Sequence, residues 1–226
     1  MDVEKIKKYI SELKEENPFI SQVDLAYQVF LKSIIADAIP MGEKINQEYF
    51  AAELEMSRTP LREALMKLEK EGYVEKSDKL GYCVSKIKLK DYVDFCEFRI
   101  QIEAFAAFLA ARNITAEQIK LLKNNLDKYI EACNRDDQRH MRKLDMEFHE
   151  LIVEACNNPY VIEVYQGMVN KKKLFFRYSE RAGRLSLAKK GHIEIYKAIV
   201  NQDEEKAKEA MIYHLKYYIR ALYNIM

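Results

Sequence analysis

Apolar positions set the first picture of this chain. Val3, Ile6, Ile10 and Leu13 recur at helical spacing near the start, predicting one amphipathic helix that Asn17-Pro18 stops. From about 23 to 88 the order is helix, helix, helix, hairpin. Leu25, Val29, Leu31, Ile34 and Ile35 mark the first of these helices, and Ile39-Pro40-Met41-Gly42 closes it. A short helix runs over Gln47 to Leu54. A third covers Arg58 to Glu71 and ends before Gly72, a residue suited to the position just past a helix. Tyr73-Val74-Glu75 and Tyr82-Cys83-Val84-Ser85 then read as two short strands, with the turn between them at Ser77 to Gly81.

Beyond residue 90 no strand pattern appears, and the predicted helices number six, give or take one. Breaks fall at Asn113-Ile114-Thr115, Asn134 to Asp137, Asn157-Asn158-Pro159, around Gly183, and at Asn201-Gln202-Asp203. Thr115 with Gln118 has the spacing of a capping box, and Asp203-Glu204-Glu205 is an acidic helix start. The expected fold is mainly α. A leader helix (1–22) precedes three helices plus a two-stranded wing (23–89), and an all-helical antiparallel bundle of six or seven helices follows (90–226).

Composition narrows this modestly. With 226 residues, 49% hydrophobic and 32% charged, the chain can bury one large core or two small ones. A formal net charge of +1 gives no global support for nucleic-acid binding, so any such case rests on local placement. No apolar run is long enough for a bilayer span, and MDVEKIKKYI lacks a signal-peptide core. Cys83, Cys96, Cys133 and Cys156 show no C-x-x-C spacing and read as free thiols, which points to the reducing cytoplasm.

The densest motif is Met56-Ser57-Arg58-Thr59-Pro60-Leu61-Arg62-Glu63-Ala64-Leu65. Leu61, Ala64, Leu65 and Leu68 form the buried stripe of one helix. Arg58 and Arg62 stand one turn apart on another face, near the N-terminus. Ser57 or Thr59 can cap that end, with Pro60 tolerated in the first turn. A helix entering the major groove N-terminus first would use this arrangement directly. The two arginines reach guanine edges and the hydroxyls reach phosphate. Lys76 and Lys79, around the hairpin tip, could lie along the backbone or minor groove. An exposed, salt-bridged helix is the plainer alternative for an arginine pair alone, but not for the whole helix–helix–wing string.

That string, with Glu71-Gly72-Tyr73-Val74, Gly81-Tyr82-Cys83-Val84 and the upstream Pro40-Met41-Gly42-Glu43-Lys44-Ile45, resembles the winged-helix signature of the GntR family. The hydroxyls of Ser57 and Thr59 are the ones placed for phosphate, and the resemblance implies that Arg58, Thr59 and Arg62 contact operator DNA and that the wing glycine Gly81 approaches the minor groove. One departure is Glu48, where many members carry arginine.

A second constellation lies downstream. Met141, Leu144, Phe148 and Ile152 form an apolar stripe that also contains Asp145 and His149, one turn apart. A carboxylate on such a stripe is costly unless paired or coordinated. His192 shares a stripe with Ala188, Ile195 and Ile199, and His214 shares one with Ala207, Met211, Leu215 and Tyr218. His140, near Asp136 and Asp137, reads as a surface residue. Three histidines and an aspartate converging in a bundle suit a divalent transition metal, zinc first, with nickel or manganese as alternatives. Satisfied core histidines are the competing reading.

Residues 90–226 resemble the FCD ligand-binding domain of the FadR branch of GntR regulators. The matches are Glu97 to Glu103 with Ala106-Ala107 and Leu109-Ala110-Ala111, Asp145-Met146-Glu147-Phe148-His149, Asn158-Pro159, and Met211-Ile212-Tyr213-His214-Leu215. Gly191-His192 replaces the usual Glu-His. The resemblance implies metal ligation by Asp145, His149, His192 and His214 and a small carboxylate effector beside the ion. Arg99 either binds that carboxylate in a fork or pairs with Glu103. The function implied is a cytoplasmic, homodimeric transcription regulator, in the main a repressor, whose effector shifts the balance between two DNA-reading states of the dimer. The alternative from another class is a metal-dependent enzyme using the Asp/His set to activate water, although no general base or substrate loop accompanies it in the sequence.

Overall fold

The computed structural model describes the backbone of residues 1–77, 81–180 and 185–223, and the side chains of 1–77, 81–175 and 188–216. Lys79 and the expected break around Gly183 fall outside the described residues. The chain divides into two compact units, Met1–Lys88 and Leu89–Met226.

The first unit holds α1 (Val3–Glu16), α2 (Gln22–Ile35), α3 (Gln47–Glu53), α4 (Arg58–Lys70), β1 (Val74–Ser77) and β2 (Gly81–Val84). Asp2 caps α1, and Ile6, Ile10 and Leu13 bury its inner face while Val3 stays exposed. The leader is thus packed into the first unit, against α2. α2 stops four residues before the predicted Ile39-Pro40 break. Asp37 adopts the left-handed conformation (φ 60°), one that Asp tolerates better than most residues, and this ends the helix before proline is reached. Phe30 of α2 meets Phe50 of α3 at a ring distance of 4.6 Å, and Leu61, Ala64, Leu65 and Leu68 of α4 are completely buried. Gly72 follows α4 with φ 72°, which leaves little freedom for a side chain there.

β1 and β2 pair antiparallel from Val74 opposite Val84 to Ser77 opposite Gly81. The segment before α3 adds a third, minimal edge. Gly42 N donates to Val84 O (2.8 Å), Val84 N to Glu43 O (3.0 Å), and Ile45 N to Tyr82 O (2.9 Å). Pro40 and Gly42 mask this pairing in the sequence, because they read as a loop.

Among the described residues the second unit has six helices: α5 (Leu89–Asn113), α6 (Ala116–Asn134), α7 (Gln138–Ala155), α8 (Pro159–Glu180), α9 (Leu185–Val200) and α10 (Glu204–Tyr223). The expected capping box at Thr115 and Gln118 is present. Asp203 accepts from Lys206 N at 3.1 Å at the start of α10. α5 turns Ala104, Ala107, Ala110 and Ala111 inward, and such small side chains let a neighbouring helix pack close. α10 lies against this helix, and Arg112 grips Glu204 with two hydrogen bonds of 3.1 and 2.7 Å. Ile100, Tyr129, Phe148, Ile152, Ile195 and Met211 fill the shared core, which places the inward histidines of α7, α9 and α10 at its centre.

Candidate functional site

The residues expected to read DNA lie at the N-terminal end of α4 in the first unit. The buried Leu61, Ala64, Leu65 and Leu68 fix its inner stripe, which leaves Ser57, Arg58, Thr59 and Arg62 exposed on the outside. Ser57 takes the cap position by backbone geometry, but its hydroxyl makes no capping hydrogen bond. The side-chain cap expected from the sequence is therefore absent, and that hydroxyl does not serve the helix's first turn. Gly81 opens β2 with φ 75°, and a side chain added there would meet nothing within 4 Å.

In the second unit, Asp145 and His149 (α7), His192 (α9) and His214 (α10) converge. Each offers a ligand atom, and these atoms all lie within 4.8 Å of one another. All four residues are buried. His149 Nε2 and His214 Nε2 stand 3.2 Å apart, and His192 Nε2 is 3.2 Å from Asp145 Oδ1. Two imidazole nitrogens on one tetrahedral ion at about 2.0–2.1 Å would be about 3.3 Å apart. His192 is wedged by rings, stacked on Phe148 (4.2 Å) and tilted against Tyr129 (4.6 Å), and its Nδ1 is buried without a hydrogen-bond partner. Packing aims this ring. His140 is exposed and pairs with Asp137 at 2.6 Å, as its sequence neighbours implied.

Burial shapes the titration of the cluster. It drives His149 down to about 4 against the opposing pull of Glu103, and pushes His214 well below its ordinary value, with the neighbouring histidines adding to the effect. Burial works to raise Asp145, but contact with His192 and the charges of His149 and Lys172 outweigh it and hold the carboxyl low. Neutral imidazoles at His149 and His214 beside an ionised Asp145 are forms that ligate a divalent metal, so the donor set fits such an ion.

Two residues that sequence reasoning missed or undervalued, Glu103 and Lys172, surround this set together with Arg99. Glu103, fully buried on α5, lies 2.5 Å from His149 Nδ1. A carboxylate behind a histidine fixes the tautomer that turns the other nitrogen's lone pair inward. Glu103 also takes both Nε and Nη2 of Arg99, so of the two roles foreseen for Arg99 the internal pair is the one seen. Lys172 of α8 is buried, donates to the Tyr165 hydroxyl at 2.9 Å, and lies 3.9 Å from Glu103. Desolvation lowers its amine to about 8, partly offset by Glu103.

Gly191 explains a local departure. A Cβ there would fall within contact distance of His214 Nδ1 and 3.0 Å from its Cγ. The His214 ring occupies the space that any side chain at 191 would need. A groove of about 1280 Å³ runs between α9 and α10, with Gly191, Ile193, Lys197, Ala210, Tyr213 and His214 among its walls.

An exposed helix–turn–helix face with a wing, together with a helical bundle enclosing a His/Asp cluster, defines a DNA-binding regulator with an appended ligand-type domain. Residues 24–84 match the bacterial regulatory proteins of the gntR family and residues 94–217 match the FCD domain. The chain belongs to the GntR family of transcription regulators, in its FCD-containing form. It is 26% identical over 203 residues to the uncharacterized HTH-type transcriptional regulator YdhC of Bacillus subtilis, covering 88% of this chain and 90% of that one. It is 23% identical to the HTH-type transcriptional repressor RspR of Escherichia coli K12, covering 91% and 90%. Escherichia coli McbR/YncC shares the fold with a TM-score of 0.71 at 20% identity, over 91% of this chain and 99% of that one. The family and these relatives are regulators of transcription, which sets aside the enzyme alternative. Among the described residues, no helix is long and apolar enough to cross a membrane.

Proposed function

We propose that this chain is a homodimeric repressor of the cytoplasm whose operator binding is modulated by a small carboxylate held at a divalent metal, zinc first, with nickel or manganese as alternatives. The observation that carries the reading is the convergence of Asp145, His149, His192 and His214 from three helices onto one buried point. Bound there, a divalent ion supplies positive charge and open coordination positions for a carboxylate. Arg99 and Lys172 are buried beside the same cluster and balance the carboxylates of Glu103 and Asp145, so a divalent ion bound there would leave a net positive site for an anion. Arg99, held by Glu103, is the proposed effector contact, and the groove between α9 and α10 is the route in. The repressor assignment rests on RspR, a relative named for repression.

On the DNA side, Arg58 and Arg62 read base edges in the major groove, Ser57 and Thr59 bind phosphate at the start of α4, and Gly81 lets the wing approach the minor groove. Twofold symmetry of a palindromic operator matches a homodimer. The effector acts by binding the two DNA-reading states of the dimer unequally.

Elemental analysis of protein purified without an affinity tag tests the metal. About one ion per chain is expected, and none, with no uptake after chelation and refilling, refutes it. The joint variant Arg58→Ala, Arg62→Ala should lose the shift of the protein's own promoter fragment, and unchanged affinity refutes the contact assignment. A screen of carboxylic acids should raise the thermal midpoint of metal-loaded protein more than that of stripped protein.

A further inference from the structure

The first turn of α3 carries an acid pointed at the DNA-reading arginine. Asn46 caps α3, its side-chain oxygen accepting from Glu48 N and Tyr49 N at 3.1 Å each, which fixes the backbone from which Glu48 projects. Glu48 Oε1 then accepts from Arg58 Nη2 at 2.8 Å, bridging the start of α3 to the first residue of α4. The two side chains are 78% and 69% exposed. A pair so open to water contributes little to folding stability. Its consequence is positional.

An unrestrained arginine at the tip of a helix samples many rotamers and can settle on whichever phosphate is nearest, a contact that carries no sequence information. Reading guanine demands one edge of the guanidinium, held in the plane of the base. Glu48 biases Arg58 toward one orientation before DNA arrives and occupies one of its terminal nitrogens. It also adds a negative charge where the helix preceding the recognition helix crosses the DNA backbone. On the operator, where Arg58 turns to a base edge, the pair with Glu48 stays closed and the carboxylate stays neutralised. Phosphate-only binding draws Arg58 off Glu48 and leaves that carboxylate unpaired beside the backbone, so the penalty falls on non-cognate DNA.

We propose that Glu48 is a specificity-determining residue: its carboxylate orients Arg58 toward a base edge and penalises phosphate-only binding, lowering affinity for non-cognate DNA more than for the operator. This rests on the base-reading role assigned to Arg58 above. Specificity is a difference of affinities, and a repulsive element against the wrong partner widens it.

The test uses the full-length protein and two duplexes of equal length, one selected by the wild type from a random-sequence DNA pool and one scrambled. Dissociation constants are measured for wild type, Glu48→Gln, Glu48→Ala and Arg58→Ala across a salt series. Both Glu48 variants should bind the scrambled duplex roughly three- to tenfold more tightly, the scale of one screened charge near the phosphates. Their affinity for the selected duplex should change less than about twofold, so discrimination falls at least about threefold. The logarithmic salt slope on scrambled DNA should steepen by about 0.9, one added phosphate contact. An unchanged ratio, or equal tightening on both duplexes, overturns the proposal even if Arg58→Ala shows Arg58 to be needed. If Arg58→Ala leaves the selected duplex bound as before, the base-reading role fails instead, and the two failures are told apart by that variant.

Discussion

Gly191→Ala puts two well-understood effects against each other. In a helix interior, replacing glycine with alanine stabilises by about 0.8–1.0 kcal/mol. Here the new methyl collides with the His214 ring, within contact distance of Nδ1 and 3.0 Å from Cγ. Because His214 is only 3% exposed in a packed core, its ring can yield only by displacing neighbours. Overpacking of this kind costs about 1–3 kcal/mol. The net expectation is a loss of about 0–2 kcal/mol in urea unfolding of metal-free protein, where propensity alone would give a gain. In a His214→Ala background the obstacle is gone, and the same substitution should stabilise by about 1 kcal/mol. The cycle therefore has a coupling energy of about 1–3 kcal/mol between residues 191 and 214. On the proposed ligand role of His214, its displacement should also lower zinc affinity, measured by competition with a chelator, by at least the about 10–100-fold that loss of an outer-shell partner costs. Equal stabilisation in both backgrounds would refute the steric argument. Unaltered zinc affinity would refute the placement of His214 at the metal.

Glu103→Gln should lower zinc affinity about 10–100-fold by releasing the tautomer of His149, and lower stability by about 3–5 kcal/mol because Arg99 and Lys172 lose their shared carboxylate; a surface-like cost under 1 kcal/mol would contradict the buried network. Acidification of metal-free protein should destabilise it. His149 titrates at about 4 when folded against 6.5 as its ordinary value, so the unfolded chain holds more protons between those limits and stability drops as pH falls through that window. The drop attributable to His149 is about 3 kcal/mol in all, read from urea midpoints of wild type and His149→Gln at several pH values. A flat difference between them would count against it. Ile6→Ala should cost about 2–5 kcal/mol in unfolding of the first unit, since Ile6 is completely buried; no loss would mean that α1 is a detached tail.

The buried His/Asp cluster was legible because its members sit on apolar stripes, where a charged or polar side chain demands an explanation. The exposure of Arg58 and Arg62 was legible for the opposite reason: they stand off the stripe of Leu61, Ala64, Leu65 and Leu68. Glu103 escaped because its visible partner is Arg99, four residues away, while its partner His149 is remote in sequence and nothing in the local spacing joins them. Lys172 escaped inside Lys171-Lys172-Lys173, which looks like a solvated charge run. A signal was there: Val161, Tyr165, Met168, Lys172 and Phe175 fall on one helical stripe, and all five are buried. The early stop of α2 depends on Asp37 taking a left-handed conformation that nearby Pro40 and Gly42 advertise more loudly.

The extra edge formed by residues 42–45 changes what the wing is. A two-stranded hairpin alone is marginal in water. Sewn to the segment that leads into α3, this one has amides at Gly42, Ile45 and Val84 donating in a three-strand ladder, and those amides should exchange slowly with solvent deuterium. The base of the wing is thereby set in place before any duplex is met. Less conformational entropy remains to be lost on docking, and the entry to α3, where Asn46 and Glu48 stand, is tied through backbone hydrogen bonds to the strand that begins at Gly81.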